Sequence, residues 1–153
     1  MAAPILTWWN IDNTKQENRW DIGTVDAGTP SQDKTFLIWN NRGGQTDVSD
    51  CTSCTITTKD DQGNDMGELV TNLWIKVRVD SMGESNFTAI GGPTVKTIKA
   101  GGTAPAGTIK GTANDGSISA LENYAQITCH ALPHALATAG NVNFLLRVSY
   151  SYV

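Results

Sequence analysis

Apolar and polar residues alternate along several stretches of the chain, and glycine-containing segments separate these stretches. The clearest is NVNFLLRVSYSYV, residues 141–153. Its apolar and tyrosine side chains stand at every second position, namely Val142, Phe144, Leu146, Val148, Tyr150 and Tyr152. A strand with one buried and one solvated face gives this period of two. The run therefore predicts a long final strand with Leu146 in the core and Leu145 on the outer face.

Three other stretches predict strands as well. LWIKVRVDS, residues 73–81, and NYAQITCHAL, residues 123–132, repeat the alternation, whereas KTFLIWN, residues 34–40, is apolar on both faces like a central strand. Turn residues at 59–65, 114–116 and 138–141 predict hairpins between strands. Helix formers are sparse, and the alanine-rich residues 134–140 predict a loop with one helical turn. Seven or more short strands favour an antiparallel β-sandwich.

Composition narrows the range of functions. The 153 residues are 39% hydrophobic and 17% charged, and the net charge is −4. Negative net charge argues against a general nucleic-acid-binding face, and no apolar run is long enough to span a bilayer. The opening MAAPILTWWN has neither a basic segment nor a long apolar one, which argues against secretory export. A low charge content suits a surface that is largely covered by neighbouring subunits.

Two stretches resemble a known kind of domain. WDIGTVDAGTPSQDKTFLIWNNRGG, residues 20–44, resembles the opening of immunoglobulin-like modules, in which a strand ends, Gly28 permits a turn and the next strand follows. ATAGNVNFLLRVSYSY, residues 137–152, resembles their last hairpin. Taken whole, the chain is similar to small virion proteins of tailed bacteriophages. The resemblance implies an immunoglobulin-like sandwich over residues 20–153, preceded by an N-terminal arm of residues 1–19, without catalytic residues or a cofactor.

The cysteines and histidines raise the question of a metal site. Cys51 and Cys54 form a C-x-x-C pair, and Cys129, His130 and His134 cluster later. Zinc could take ligands from both groups. On a strand, however, Cys129 and His130 point to opposite faces, so only one of them could readily join His134. The alternative makes Cys129 a small core residue and residues 50–54 a loop with free or oxidised thiols. We expect no metal and no cofactor.

The acidic stretch DDQGNDMGE offers four possible calcium ligands, Asp60, Asp61, Asp65 and Glu68. Its spacing does not match the calcium-binding loop in which alternate oxygens point at one ion. Asparagine, aspartate and glycine are also the usual residues of turns. A turn is therefore the competing interpretation of this segment.

Three lysines, Lys96, Lys99 and Lys110, form a locally basic strip, because no acidic residue occurs between Pro93 and Ala113. The strip predicts either a solvated face or a contact with an acidic neighbour.

The five tryptophans exceed the one or two that a sandwich needs as core anchors. Trp8 and Trp9 are adjacent, so on a strand one of them faces away from the core. Trp74 has the phase of the polar residues Lys76 and Arg78. Trp8, Trp9, Trp20 and Trp74 are therefore candidate anchors of subunit contacts. The alternative is a thick sandwich that buries four of the five.

The resemblance implies, and the other observations fit, a non-enzymatic structural protein of a tailed-phage particle, located in the virion after assembly in the host cytoplasm. Capsid decoration (cement) and a tail or baseplate accessory role both fit. The expected partners are further copies of the chain and other virion structural proteins, in symmetric contacts. The N-terminal arm is favoured as a strand donated to a neighbour. The alternative function is carbohydrate or receptor binding on the host-facing end, through exposed coplanar aromatic rings.

Overall fold

The protein is a β-sandwich of eight strands, and a computed structural model describes all 153 residues. The strands are β1 (Leu6–Asn10), β2 (Lys34–Asn40), β3 (Thr52–Asp60), β4 (Ile75–Val79), β5 (Thr88–Ile90), β6 (Lys96–Thr97), β7 (Tyr124–Ala131) and β8 (Phe144–Ser151). One antiparallel sheet has the order β1-β2-β7-β4-β5, and the other has the order β6-β3-β8. The predicted all-β sandwich of seven or more strands is confirmed.

The core lies between the two sheets. The alternating residues of β4 and β7 point into it as predicted, and Ile75, Val77 and Ile127 are fully buried. β2 is buried on both faces, which confirms it as a central strand. Its Phe36 and Ile38 belong to the main core, whereas Leu37 and Trp39 pack with Tyr124 in a smaller cluster on the outer face of the sheet.

Helices are few and short. α1 (Glu68–Thr71) is a single turn, and two 3-10 turns span Asp80–Met82 and Leu121–Asn123. None of these has the length or hydropathy to cross a membrane. Residues 134–140 make a plain turn, in which the Ala137 nitrogen donates to the His134 carbonyl.

Two strand assignments made from the immunoglobulin-like pattern are wrong. Residues 20–26 form no strand, although Gly28 makes the expected turn with a φ of 77°. The expected last hairpin is absent, because β7 and β8 belong to different sheets. Both edges of β7 are already paired, with β2 and with β4, so β8 has no edge of β7 to join. The chain crosses to the smaller sheet and pairs with β3.

The turn at residues 59–65 also fails to make a hairpin. It closes as predicted, with Gly63 at a φ of 82° and the Asp60 nitrogen bonded to the Asn64 carbonyl at 2.8 Å. The chain then enters α1, and β3 takes β6 and β8 as its neighbours.

The N-terminal arm is the first strand of its own domain. β1 pairs along its whole length with β2, from Leu6 opposite Asn40 to Asn10 opposite Phe36. The outer edge of β1 is partly covered, because the Glu17 nitrogen donates to the Trp8 carbonyl at 2.8 Å. This corrects the preference for a strand donated to a neighbour. The adjacent edge of β2 accepts the arm within the same chain.

β8 follows the predicted phase, with a difference in burial. Phe144, Leu146 and Val148 face the core side and Leu145 faces outward. The inward residues are only half-buried, and Tyr150 and Tyr152 of the same phase are 39% and 52% exposed. The reason is position, because β8 is the last strand of the smaller sheet and has the larger sheet over only part of its inner face.

Candidate interaction surface

The most accessible feature of the sandwich is the free edge of β8. This strand is eight residues long and pairs only with β3, and its other edge makes no backbone hydrogen bond. The remaining edges are short or partly covered, since β5 has three residues, β6 has two and residues 15–17 bond to β1. Proteins usually shorten, twist or charge a strand edge of this length, because unpaired N–H and C=O groups pair readily with another strand.

A groove of about 690 Å³ runs beside this edge, between β8 and β1. Its floor is apolar and aromatic, and residues 17–23 form the opposite wall. The apolar and aromatic residues of the floor include Trp8, Trp20, Phe36, Phe144 and Leu146. Glu17 at the rim is paired with Lys34 at 2.6 Å. The groove therefore combines an aromatic and apolar patch with polar and charged residues along its wall.

The aromatic residues of the groove contact one another edge to face. The rings of Trp8 and Phe36 have centroids 5.4 Å apart, and those of Trp20 and Phe36 are 6.3 Å apart. Trp20 also meets Phe144 at 5.9 Å, which links the larger sheet to β8. Such pairs add stabilisation beyond the area they bury. Phe36 is buried, whereas the rings of Trp8, Trp20 and Phe144 remain partly exposed.

Trp9 lies on the other face of the larger sheet, as the alternation with Trp8 requires. The Arg42 guanidinium stacks on its ring at 3.6 Å and is held by two hydrogen bonds to Asn13, at 3.0 Å and 2.9 Å. The indole nitrogen donates to the Thr7 hydroxyl at 2.9 Å. The ring and the indole nitrogen of Trp9 thus both contact residues of the same chain, and Trp9 lies outside the groove.

Trp74 is a core residue, which corrects its assignment as an interface anchor. It is 6% exposed, and its indole nitrogen donates to Nδ1 of His134 at 2.8 Å. The phase argument fails because Trp74 precedes β4 and follows Leu73, whose φ is 54°. That left-handed residue breaks the strand alternation on which the comparison with Lys76 relied.

The basic strip is neutralised by acidic residues from elsewhere in the chain. Lys96 pairs with Glu84 at 2.5 Å, and Lys110 pairs with Asp50 at 3.2 Å. Lys99 donates to two backbone carbonyls of the neighbouring loop, those of residues 100 and 104. The fold therefore supplies the acidic contacts internally, and these lysines do not form an open basic surface.

The proposed metal ligands lie apart. Cys51 and Cys54 lie at the start of β3 in the smaller sheet, whereas Cys129 is in β7 of the larger one. His134 is bonded to Trp74, and no group of three metal-ligating side chains occurs. All three thiols are free and buried, and burial raises the pKa of Cys129 well above its usual range.

The acidic segment after β3 is a turn. Asp60 accepts the backbone N–H groups of Gln62 and Asn64, and Asp65 pairs with Lys59 at 2.5 Å. Glu68 accepts two hydrogen bonds from Thr138, which lower the pKa of its carboxyl group. The carboxylates thus bind different parts of the chain rather than one point.

Sequence reasoning found Trp8 and Trp20 but missed the groove that joins them. The sequence indicated that Phe36 and Phe144 are ordinary core residues. The alternation of apolar and polar residues around them does not distinguish an edge strand from a central one. Leu145, an apolar residue on the otherwise polar outer face of β8, was the available signal.

No protein-family model matches the chain, and no curated protein or solved structure matches it. The resemblance to immunoglobulin-like phage proteins therefore rests on residues 20–44 and 137–152 alone.

Proposed function

We propose that this protein is a non-enzymatic structural subunit that assembles with copies of itself through the free edge of β8. The observation that carries the proposal is the eight-residue edge without a backbone partner, beside a groove that contains an aromatic patch. A strand added to such an edge gains backbone hydrogen bonds, and the neighbouring groove receives its side chains.

A second copy fits this edge in a simple symmetric way. Antiparallel pairing of β8 with β8 of another copy around a twofold axis would join two three-stranded sheets into one of six strands. Each copy then presents the same surface to the other, as twofold contacts require. The added strand would lie over the groove and cover Trp8, Trp20 and Leu146, which are half-exposed in the single chain.

The setting we propose is a tailed-phage particle, as capsid decoration or as a tail or baseplate accessory subunit. Its support is the motif resemblance of residues 20–44 and 137–152, together with the low charge content. Electron microscopy of particles assembled without the protein tests this setting. Loss of a repeated surface density supports decoration, loss of a tail feature supports the accessory role, and unchanged particles contradict both.

The assembly proposal is tested by adding positive charge to the outer face of β8. The double variant Leu145→Lys with Ser149→Lys places a lysine two residues to each side of Arg147. In an antiparallel pair with its twofold axis at Arg147, the lysine at position 145 of one copy would lie opposite the lysine at position 149 of the other, and like charges placed in this way repel. Sedimentation velocity is expected to give oligomers for the wild type and monomers for the double variant. The matched control, Ile118→Lys with Leu121→Lys, changes exposed apolar residues away from β8 and is expected to remain oligomeric.

Two results would contradict the assembly proposal. One is a wild type that stays monomeric up to high protein concentration, and the other is a double variant that assembles normally. Urea unfolding at a protein concentration low enough to dissociate every oligomer separates loss of assembly from loss of the fold, because the three monomers are then expected to share one midpoint.

Carbohydrate or receptor binding is the second candidate, favoured by the exposed Tyr150 and Tyr152. Their ring centroids are 6.3 Å apart, but the planes are inclined by 40°. A flat sugar-stacking platform needs rings closer to coplanar, so this candidate ranks below assembly. A glycan array with the wild type and Tyr152→Ala decides it, since specific binding that the variant loses would favour the sugar-binding function.

A further inference from the structure

Cys51 and Cys54 both point into the core, although residues three apart on a regular strand face opposite sides. The register of β3 explains this. Between Thr52 and Thr55, β3 advances three residues while β8 advances only two, so β3 contains a β-bulge with one extra residue. The extra residue returns Cys54 to the face of Cys51, as if the two were alternate residues of a strand.

The backbone on both sides of the bulge is fixed. Cys51 exchanges two hydrogen bonds with Ile109, both 3.0 Å, and the Cys54 nitrogen donates to the Gly107 carbonyl at 2.8 Å. Between them, Ser53 has a φ of 51°, in the left-handed region. Alternate strand residues lie about 6.6 Å apart, near the upper end of the roughly 4.4–6.8 Å that disulfides span, and a left-handed residue shortens this path.

We propose that Cys51 and Cys54 form a dithiol site that oxidises to an intramolecular disulfide and locks the bulge of β3. No third metal-ligating side chain joins them. The contact between the two thiols, together with burial, raises the pKa of Cys51, and the same contact lowers the pKa of Cys54. Either thiolate can begin the exchange and both orders give the same disulfide, and the lower pKa favours Cys54.

Oxidised glutathione, a small-molecule disulfide, serves as the oxidant. The Cys54 thiolate bonds to one glutathione sulfur, and the glutathione S–S bond breaks to release one thiolate. The Cys51 thiol then loses its proton and its sulfur attacks the Cys54 sulfur, which releases the second glutathione thiolate. Two electrons pass to glutathione, and the two cysteine protons end on the two glutathione thiols. Because both cysteines are buried, the reaction proceeds through local opening at the bulge.

The site goes beyond the proposed assembly function and lies next to its surface. The bulge holds the C-terminal end of β8, since the Thr52 hydroxyl donates to the Ser151 carbonyl at 3.1 Å. The Ser49 hydroxyl likewise donates to the Val153 carbonyl at 2.6 Å. A locked bulge would fix the end of the free edge.

The test is a redox titration of the full chain in buffers with different ratios of reduced to oxidised glutathione. Free thiols are then alkylated with iodoacetamide, and the peptides are weighed by mass spectrometry. The peptide with Cys51 and Cys54 is expected to lose two hydrogens and escape alkylation as the buffer becomes more oxidising. Cys129 is expected to stay alkylated throughout. A parallel series unfolded in urea and refolded in the same buffers is expected to reach the same ratios.

Two variants sharpen the result. Cys51→Ser removes the second thiol, so oxidation is expected to stop at a glutathione adduct on Cys54. Cys129→Ser is the matched control and is expected to leave the titration unchanged. The proposal is overturned if both cysteines are alkylated at every ratio, if the wild type accumulates glutathione adducts, or if the disulfide is lost on refolding. These outcomes are independent of the oligomeric state.

Discussion

Asn40 ties three parts of the chain together, and its replacement by leucine is the most direct test of the fold. The side chain is fully buried, and its Oδ1 accepts the backbone N–H of Ile5 at 2.9 Å. Its Nδ2 donates to the carbonyls of Ser49 at 3.0 Å and Ile109 at 3.3 Å. Leucine has the same branched shape but no polar atom, and its methyl groups are larger than the amide oxygen and nitrogen that they replace. Asn40→Leu therefore leaves three backbone groups without this partner and also crowds a fully buried site.

The expected cost follows from those three groups. Each hydrogen bond contributes about 1 kcal/mol net, and a buried group left without a partner costs roughly 1–3 kcal/mol. The end of β1 near Ile5 is partly solvated and regains water, and the Ile109 carbonyl keeps the Cys51 N–H at 3.0 Å, so the sum is about 3 kcal/mol. That is a large share of the roughly 5–15 kcal/mol that stabilises a domain. Urea unfolding followed by tryptophan fluorescence is expected to show a midpoint lower by about 1–3 M.

The control is Asn86→Leu, because Asn86 is exposed and its side chain makes no hydrogen bond. Its effect is expected to stay within about 0.5 kcal/mol. If Asn40→Leu unfolds at the wild-type midpoint with an unchanged slope, Asn40 does not join β1 to these loops. The placement of β1 in this sheet would then be wrong.

Three further changes test other parts of the fold by the same urea assay. Leu146→Asp is expected to lower the free energy of unfolding by about 2 kcal/mol, because the Leu146 side chain is half-buried. Leu145→Asp changes an exposed side chain, so its effect is expected to stay within about 0.5 kcal/mol. Equal losses would show that the strand phase is wrong. Trp39→Phe is expected to stay within about 1 kcal/mol, because the indole N–H is buried without a partner and its removal offsets the lost volume; a loss above about 3 kcal/mol contradicts this. Deleting residues 1–11 is expected to abolish cooperative unfolding, because it uncovers β2 and removes Trp8; a truncated protein with the wild-type midpoint contradicts this.

The sequence predicted the strands whose burial repeats every two residues. β4 and β7 lie inside the larger sheet, so their alternating residues meet the core directly and the pattern survives intact. β2 was recognised as central because both its faces are covered. In each case a local pattern reports a local environment, and no long-range information is needed.

Features that depend on distant partners were not predictable in the same way. Whether β8 pairs with β7 or with β3 depends on which strand edges are already paired, and the sequence of β8 does not contain that information. The bulge at Ser53 and the left-handed Leu73 each shift the phase of the residues that follow. A reading that assumes unbroken alternation therefore misplaces the face of Cys54 and that of Trp74.

The candidate surface was hidden for the same reason. Trp8 and Trp20 were recognised as unusual, but their meeting point depends on Phe36 and on the end of β8. The basic strip, in contrast, exists only in the linear sequence and not on the folded surface. Its acidic partners, Glu84 and Asp50, lie outside residues 93–113 in the sequence and reach the strip only in the fold.

The unequal size of the two sheets connects the aromatic residues to the proposed assembly. Five strands present a wider inner face than three strands can cover, and the uncovered strip lies along β1 and β2 beside β8. Residues 17–23 place Trp20 and Ile22 over this strip, where large rings cover much apolar surface per residue. The cover is partial, since Trp8, Trp20 and Phe144 stay half-exposed. A strand added along β8 would widen the smaller sheet on that side. The pairing that satisfies the free backbone edge would therefore also complete the burial of the groove.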